Sequence, residues 1–241
     1  MKKKRKKTEK LSAIYVAAVM AIGFCLAVFA CVKTLSAPQA VGQMAELKIV
    51  IDAGHGGIDG GVVGVATGQK ESDVNLRVAF LLKDRLADAG FAVTMTRATE
   101  AGLYGTTAPG FKLRDMQKRR EICESASPLC VISIHQNFYP SSASRGAQVF
   151  YRKDSEQSEL LAVSIQGELN GLYKKEGVKA RKQSAGEYYM LKLTPPSVIV
   201  ECGFLSNPKD DRLLANGVFC GKLADSIVSG VLSGLKTLSS T

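Results

Sequence analysis

Histidine is scarce in this chain, with only two copies among 241 residues. The sequence also contains no internal repeat and no linker rich in proline, glycine or serine. These absences exclude repeat architectures and arrays of tethered modules. Once residues 1–45 are set aside, about 195 remain, which suits one well-packed domain and is too few for two large ones.

Motifs for nucleotide binding and for cysteine chemistry are also missing. No G-x-x-x-x-G-K-S/T loop is present, and the glycine-rich stretch 54–59 (GHGGID) lacks the third glycine of a dinucleotide fingerprint. The six cysteines form no C-x-x-C pair. The apolar neighbours of Cys130 and Cys202 favour small buried hydrophobic residues over a disulfide, although an exported domain could form one.

The net charge of +10 is concentrated at the N-terminus. Residues 1–10 hold seven Lys or Arg and one Glu, which leaves 25 basic and 21 acidic residues in the rest of the chain. Binding to nucleic acid needs a basic face on the folded domain. The small remaining charge indicates no such face, so we expect no nucleic-acid partner.

Residues 11–32 form a run of 22 uncharged residues directly after this basic segment. A helix needs roughly 20 apolar residues to span a bilayer, whereas the apolar part of a secretory signal has only about 7–15. We therefore interpret 11–32 as a transmembrane anchor, 1–10 as a cytoplasmic tail and 33–46 as a linker, with the domain at 47–238 outside the membrane. A cleaved signal peptide is the alternative.

Strand and helix patterns alternate along the domain. Strands are predicted at 47–52, 91–96, 129–134, 146–151, 188–193 and 197–202, and helices at 72–89, 112–125, 155–173, 208–216 and 219–237. A polar loop is expected at 174–187. Such alternation predicts a single α/β domain with a twisted, mostly parallel sheet and helices on both faces.

Both histidines lie where an apolar run ends. His55 follows the first predicted strand and opens a loop with six glycines between residues 56 and 68, and His135 follows the third strand. Open α/β sheets bind ligands at the carboxyl ends of their strands. Because imidazole is the commonest protein ligand for zinc, two histidines at equivalent strand ends predict a metal site.

Two glutamates are candidates for the rest of the site. A catalytic zinc ion takes three protein ligands and a water molecule, and Glu71 at the start of the first helix could be the third ligand. It could equally be a first-turn acid that the helix dipole favours. Glu201 lies within an apolar run, where an ionisable group is costly to bury unless it is paired or used. It is a candidate general base, with a buried, ion-paired glutamate as the alternative.

At these residues the sequence resembles the zinc-dependent N-acetylmuramoyl-L-alanine amidases of the amidase 3 type. Matching blocks occur in family order across 47–238. They are 49–57 (IVIDAGHGG), Lys70-Glu71, Asn75-Leu76, Thr96-Arg97, 132–137 (ISIHQN) and 200–207 (VECGFLSN). Each block alone is weak evidence, but together they are specific.

The resemblance implies that His55, Glu71 and His135 bind one Zn²⁺ ion and that Glu201 is the catalytic glutamate. The implied reaction is hydrolysis of the amide between N-acetylmuramic acid and L-alanine in peptidoglycan. Within the family, the sequence is most similar to the membrane-anchored sporulation (germination-specific) form, which prepares spore cortex for muramic lactam formation. Gln136 departs from the small residue often found after the second histidine, and we expect it to adjust the pocket edge.

The expected partners are peptidoglycan, the membrane through the N-terminal helix, and an activating protein if the site has to be completed by one. Two other functional classes stay open. The domain could be another zinc peptidase or deacetylase, or an inactive or partner-gated protein that binds wall glycan. The presence of all four site residues argues against loss of activity.

Overall fold

The computed structural model describes residues 47–239 of the chain. The strands are β1 (Lys48–Ala53), β2 (Ala92–Met95), β3 (Cys130–Asn137), β4 (Gln148–Tyr151), β5 (Ser184–Ala185) and β6 (Ser197–Phe204). The helices are α1 (Glu71–Asp88), α2 (Phe111–Ser125), α3 (Glu156–Lys174), α4 (Pro208–Ala215) and α5 (Gly217–Leu238), with a short 3-10 helix at Tyr189–Leu191. The predicted tail, anchor and linker lie outside the described residues.

The strands form one sheet in the order β2-β1-β3-β6-β4-β5. Strands β2, β1, β3 and β6 pair in parallel, whereas β4 runs antiparallel to β6 and parallel to β5. The sheet is therefore mostly parallel, as predicted, with one antiparallel junction. Because β1, β3 and β6 are parallel, the residues at their carboxyl ends meet at one edge.

Apolar residues cover both faces of the sheet. In β1, Ile49 and Ile51 belong to the core shared with α1, α3 and α5, while Val50 packs with residues of α2 and the 3-10 helix. Burial on two sides explains why the central strands are continuous apolar runs instead of alternating ones. The predicted α/β class is confirmed.

Helix α5 is long and apolar enough to cross a membrane by length and composition alone. Phe219, Leu223, Ile227 and Val231 are nevertheless buried in the core, and the helix packs against α1 and α3. We interpret α5 as the central core helix of the domain.

The predicted strand at 188–193 is wrong, because its centre is the 3-10 helix. Met190 and Leu191 are both buried, at 3% and 1% exposure. Consecutive side chains on a strand point to opposite faces, whereas a helical turn can bury two neighbours together. Packing against the α2 side of the sheet therefore decides the local conformation.

Two further boundaries differ from the predictions. The expected loop at 174–187 contains the short strand β5, which pairs with the edge of β4. Strands β3 and β6 continue beyond their predicted ends, because they pair with each other as far as Asn137 and Phe204. Consequently His135 lies on a strand, like Glu201, and not on the loop that follows it.

A buried ionic network joins the end of β1 to α2. The Asp52 carboxylate is 1% exposed and accepts hydrogen bonds from Arg119 at 2.7 Å, Thr96 at 2.7 Å and Ser133 at 2.6 Å. Burial alone would raise the pKa of Asp52, but the Arg119 guanidinium and the two hydroxyl groups lower it to about 2. Asp115 also accepts from Arg119, at 2.5 Å, so the buried cation has two carboxylate partners.

We expect Asp52 to make the fold sensitive to acid. Folding lowers its pKa from 3.8 to about 2, so ionised Asp52 adds roughly 2 kcal/mol of stability above about pH 4, and this is lost as the pH falls through about 2. The free energy of unfolding is measured with urea for the unaltered chain and for Asp52→Asn. The difference between the two should be smaller at about pH 2 than at about pH 6, by roughly 2 kcal/mol. The exposed Asp84→Asn variant serves as the control. A gap that does not change with pH would contradict this account.

Candidate metal centre

The four predicted site residues meet at the carboxyl edge of the parallel strands. His55 lies two residues beyond the end of β1, and Glu71 is the first residue of α1. His135 and Glu201 stand opposite each other on β3 and β6. Residues that are far apart in the sequence are thus brought together by the order of the strands.

Glu71 and the two histidines form a cluster with the composition of a metal site. Oε1 of Glu71 lies 3.3 Å from Nε2 of His55 and 3.0 Å from Nδ1 of His135. One potential ligand atom from each residue lies within 4.8 Å of the other two. The imidazole rings meet edge to face, with centroids 5.0 Å apart. The Glu71 carboxylate therefore faces both histidines.

Glu71 is a buried carboxylate with fixed hydrogen-bond donors. The residue is only 3% exposed. Burial alone would raise its pKa, but hydrogen bonds and charge from His135 and His55 hold the pKa of Glu71 well below its usual range. The backbone N–H groups of Val62 and Gln136 each donate to the carboxylate at 3.1 Å. Glu71 is thus held as an anion between two imidazoles.

Asp59 is a site residue to which no role was predicted. Its Oδ2 atom lies 3.2 Å from Nδ1 of His55, and its Oδ1 atom lies 3.4 Å from Nζ of Lys112. Burial lowers the pKa of His55, but the carboxylates of Glu71 and Asp59 outweigh this effect, so the net pKa is raised. The contact fixes the ring so that Nε2 faces Glu71. The spacing of four residues from His55 within the glycine-rich loop is the sequence signal that could have identified Asp59.

Glu201 has a carboxyl group in an unusual environment. Its Oε2 atom is inaccessible to solvent and has no hydrogen-bond partner among residues 47–239. Burial raises the pKa of Glu201 to about 7; the charge of His135 opposes this shift and that of Glu71 adds to it. In the part of the chain that the structure describes, Glu201 forms no ion pair with Lys or Arg, which disfavours the ion-paired alternative.

Two glycines leave the space that these side chains need. A Cβ atom at Gly54 would lie 2.3 Å from the imidazole of His135. At Gly61, where φ is +67°, a Cβ atom would lie 2.5 Å from Oε2 of Glu71. His55 itself has a φ of 61°, a left-handed conformation that is uncommon outside glycine. The loop is therefore shaped around the cluster, and its backbone is held in a costly conformation at one of the histidines.

Two buried arginines hold the backbone around His55. Arg119 donates to the carbonyl oxygens of Ala53 at 2.6 Å and His55 at 2.5 Å. Arg97 donates to the carbonyl oxygens of Ala53 at 2.8 Å and Gly54 at 2.9 Å. These charge-assisted bonds oppose relaxation of the left-handed residue.

A cavity of about 380 Å³ opens onto both histidines and Glu201. Much of its lining is apolar and aromatic. It includes Tyr104, Phe111, Met116, Tyr188, Tyr189, Met190 and Ile199. The metal-type cluster and the carboxyl group with the raised pKa thus share one cleft, which is the usual setting of a ligand site.

The structure places Gln136 away from this cavity. Because side chains alternate along a strand, Gln136 points to the opposite face of β3 from His135. It is 3% exposed, and its Nε2 atom donates to Oδ1 of Asn75 on α1 at 3.1 Å. The expected effect on the pocket edge is therefore not found, and Gln136 lies behind the cluster.

Comparison with proteins of known sequence agrees with this geometry. Residues 49–233 match the family described as N-acetylmuramoyl-L-alanine amidase. The germination-specific N-acetylmuramoyl-L-alanine amidase of Bacillus subtilis is 38% identical over 187 residues, which cover 76% of this chain and 78% of the relative.

Solved structures show the same relationship. The CwlD amidase from Clostridioides difficile, solved in complex with the GerS lipoprotein, matches with a TM-score of 0.75 at 33% identity, covering 80% of this chain and 100% of that chain. The N-acetylmuramoyl-L-alanine amidase from Clostridium difficile 630 matches with a TM-score of 0.69 at 26% identity, covering 80% of this chain and 98% of that chain. The chain therefore belongs to the N-acetylmuramoyl-L-alanine amidase family, as the sequence resemblance predicted.

Proposed function

We propose that this chain is a zinc-dependent amidase that cuts the bond between N-acetylmuramic acid and the L-alanine of the stem peptide. The observation that carries the proposal is the meeting of His55, Glu71 and His135 with Glu201 at one cleft. Family membership supplies the substrate class, peptidoglycan. A fold alone would serve many hydrolases, so the proposal uses the site and the family together.

The donor set fits zinc. Two imidazole nitrogens and one carboxylate oxygen are a ligand combination of catalytic zinc sites, which keep a further position open. The side chains of His55 and His135 are 24% and 23% exposed and line the cleft, whereas Glu71 is buried behind them. These three residues would hold the ion. Bound zinc supplies a Lewis acid that polarises a carbonyl group and lowers the pKa of water.

Glu201 would carry the proton. Its carboxyl group, whose pKa burial raises, would accept a proton from the attacking water and donate it to the nitrogen of the leaving L-alanine. No ion pair among the described residues locks it in one protonation state. Tyr104 and Tyr188, which also line the cleft, would pack against the sugar or the peptide and exclude water.

We expect Asp59→Ala to weaken zinc binding by about 10–100-fold, the usual cost of losing a residue that orients a metal-bound histidine. The physical reason is the 3.2 Å contact that holds the imidazole of His55. Competition with a chromogenic chelator measures the affinity. Lys112→Ala is the matched control, because it removes the other partner of Asp59 without touching His55. Equal affinity in Asp59→Ala and the unaltered chain would show that this contact does not orient the ring.

We also propose that the enzyme acts outside the cytoplasmic membrane, in maturation of spore cortex before muramic lactam formation. Support comes from similarity to the germination-specific amidase of Bacillus subtilis and to the CwlD amidase of Clostridioides difficile. Residues 11–32 would anchor it there. That anchor stays a prediction, since it lies outside the described residues.

An activating protein partner is part of this proposal. The CwlD amidase was solved in complex with a lipoprotein. By analogy, a partner protein would bind this chain and complete or stabilise its metal site. Activity that appears only after the addition of an extract from sporulating cells would support such gating.

The proposed reaction has a discriminating product. Purified peptidoglycan treated with the protein should release stem peptides that carry a new L-alanine amino terminus and leave the glycan strands intact, as read by mass spectrometry. New reducing sugar ends, or cuts only between amino acids, would contradict the amidase assignment and favour another hydrolase. Binding without cleavage, even with sporulation extract added, would favour an inactive glycan-binding protein.

A further inference from the structure

Behind the metal centre, the side chains of Asn75 and Gln136 form a buried amide pair. Asn75 on α1 is completely buried, and Gln136 on β3 is 3% exposed. The two carboxamides are joined by the 3.1 Å hydrogen bond from Nε2 of Gln136 to Oδ1 of Asn75. Buried polar groups of this kind specify a geometry more sharply than apolar packing, because each bond has a direction.

Asn75 connects this pair to two parts of the metal centre. Its Nδ2 atom donates to Oε1 of Glu71 at 3.3 Å and to the carbonyl oxygen of Gly54 at 3.1 Å. Both N–H bonds and the carbonyl of this one carboxamide are therefore used. Gly54 directly precedes His55, so Asn75 fixes the Glu71 carboxylate relative to the loop that carries the first histidine.

Gln136 connects the pair to the third part. It directly follows His135 in the sequence, and its backbone N–H donates to Oε1 of Glu71 at 3.1 Å. Its side chain in turn holds Oδ1 of Asn75. The three proposed ligands are thus linked, through backbone or side chain, to one pair of amides.

We propose that Asn75 and Gln136 are positioning residues of the metal centre, which set the orientation of the Glu71 carboxylate and its spacing from the two histidines. The inference rests on the proposed zinc-dependent function. It assigns to the amide pair the role of a second layer of contacts around the ligands, the layer that commonly tunes metal affinity.

A purely structural role for Gln136 makes a different prediction. Its Oε1 atom is buried and has no hydrogen-bond partner within residues 47–239. A buried, unpaired acceptor carries a desolvation cost, which a methionine of similar length would not have. The same variant leaves Oδ1 of the buried Asn75 without its donor, so the two effects oppose each other and folding stability alone predicts only a change in melting temperature, not in zinc affinity. The positioning role predicts that the same variant binds zinc more weakly.

The experiment uses the purified full-length chain and three variants, Gln136→Met, Asn75→Leu and the control Gln166→Met. Gln166 on α3 is an equally buried glutamine, 2% exposed, whose carboxamide bonds the backbone of Val149 and Ala147 away from the metal centre. Zinc affinity is measured by chelator competition, ligand geometry by the visible absorption of the Co²⁺ form, and folding by the melting temperature.

We expect about a 10–100-fold loss of zinc affinity and a shifted Co²⁺ spectrum in Asn75→Leu. Gln136→Met should show a smaller loss in the same direction. Gln166→Met, which also loses buried hydrogen bonds, should retain the affinity and spectrum of the unaltered chain. If Asn75→Leu does not fold, the zinc affinity of Gln136→Met, compared with that of Gln166→Met, tests the positioning role by itself. Unchanged affinity in folded variants, or an equal loss in Gln166→Met, would overturn the positioning role only. Failure of the unaltered chain to bind zinc, even with the sporulation extract added, would overturn the proposed function as well.

Discussion

Replacing Glu201 by glutamine should reduce turnover of peptidoglycan by roughly 10²–10⁴-fold while zinc stays bound, because glutamine keeps the shape of the side chain but cannot transfer a proton. The carboxyl group of Glu201, whose pKa burial raises, lines the cleft beside the histidines, where we propose that it transfers the proton. Rates of stem-peptide release and zinc content, measured on the same preparation, separate chemistry from metal binding.

The matched control for this variant is Glu187→Gln. Glu187 is highly exposed, at 84%, and pairs with Lys192 instead of facing the cluster. It should release peptides at the rate of the unaltered chain. Near-normal hydrolysis by Glu201→Gln would mean that another residue takes the proton. Loss of zinc from the Glu201→Gln variant would instead mean that Glu201 helps to hold the metal.

Replacing His135 by alanine should abolish stable zinc binding. The unaltered chain should hold about one equivalent, and removal of one of three protein ligands should lower the affinity by more than the about 10–100-fold expected for Asp59→Ala. The loss also removes the 3.0 Å partner of the buried Glu71 carboxylate, so we expect a lower melting temperature. Elemental analysis after dialysis and thermal unfolding check the two parts.

The order of zinc affinity among the three variants tests the assignment of the ligands. Lys112→Ala should keep its zinc, Asp59→Ala should bind more weakly, and His135→Ala should lose the ion. Wild-type affinity in His135→Ala would show that the ligand assignment is wrong, since the chain has only one other histidine. An equal loss in Asp59→Ala and His135→Ala would instead favour collapse of the whole site.

The α/β class and the place of the site could be predicted from the sequence because both follow from local patterns. Apolar runs such as 47–52 and 129–134 indicate strands buried on two sides, and a crossover helix makes neighbouring strands parallel. The carboxyl ends of parallel strands meet at one edge, so the pattern of strands alone predicts that His55, His135 and Glu201 lie together.

The contacts of Glu71 could not be predicted from these local patterns. A glutamate at the start of a helix is common whether or not it faces a metal site, because the helix dipole favours it there. Only the packing of α1 against β3 brings its carboxylate to 3.0 Å from His135 and gives it the backbone donor of Gln136. Family resemblance supplied the expectation that residue chemistry could not.

The sequence by itself thus predicted the α/β class, most of the element types, the sheet edge and four candidate site residues. Tertiary structure alone decided that β4 runs antiparallel to β6, that Asp59 contacts His55, and that Gln136 turns away from the cleft to bond Asn75. It also decided the raised pKa of Glu201. The physical reason is that periodicity and propensity are local, whereas desolvation and hydrogen bonding depend on which distant residues share a space once the chain is packed.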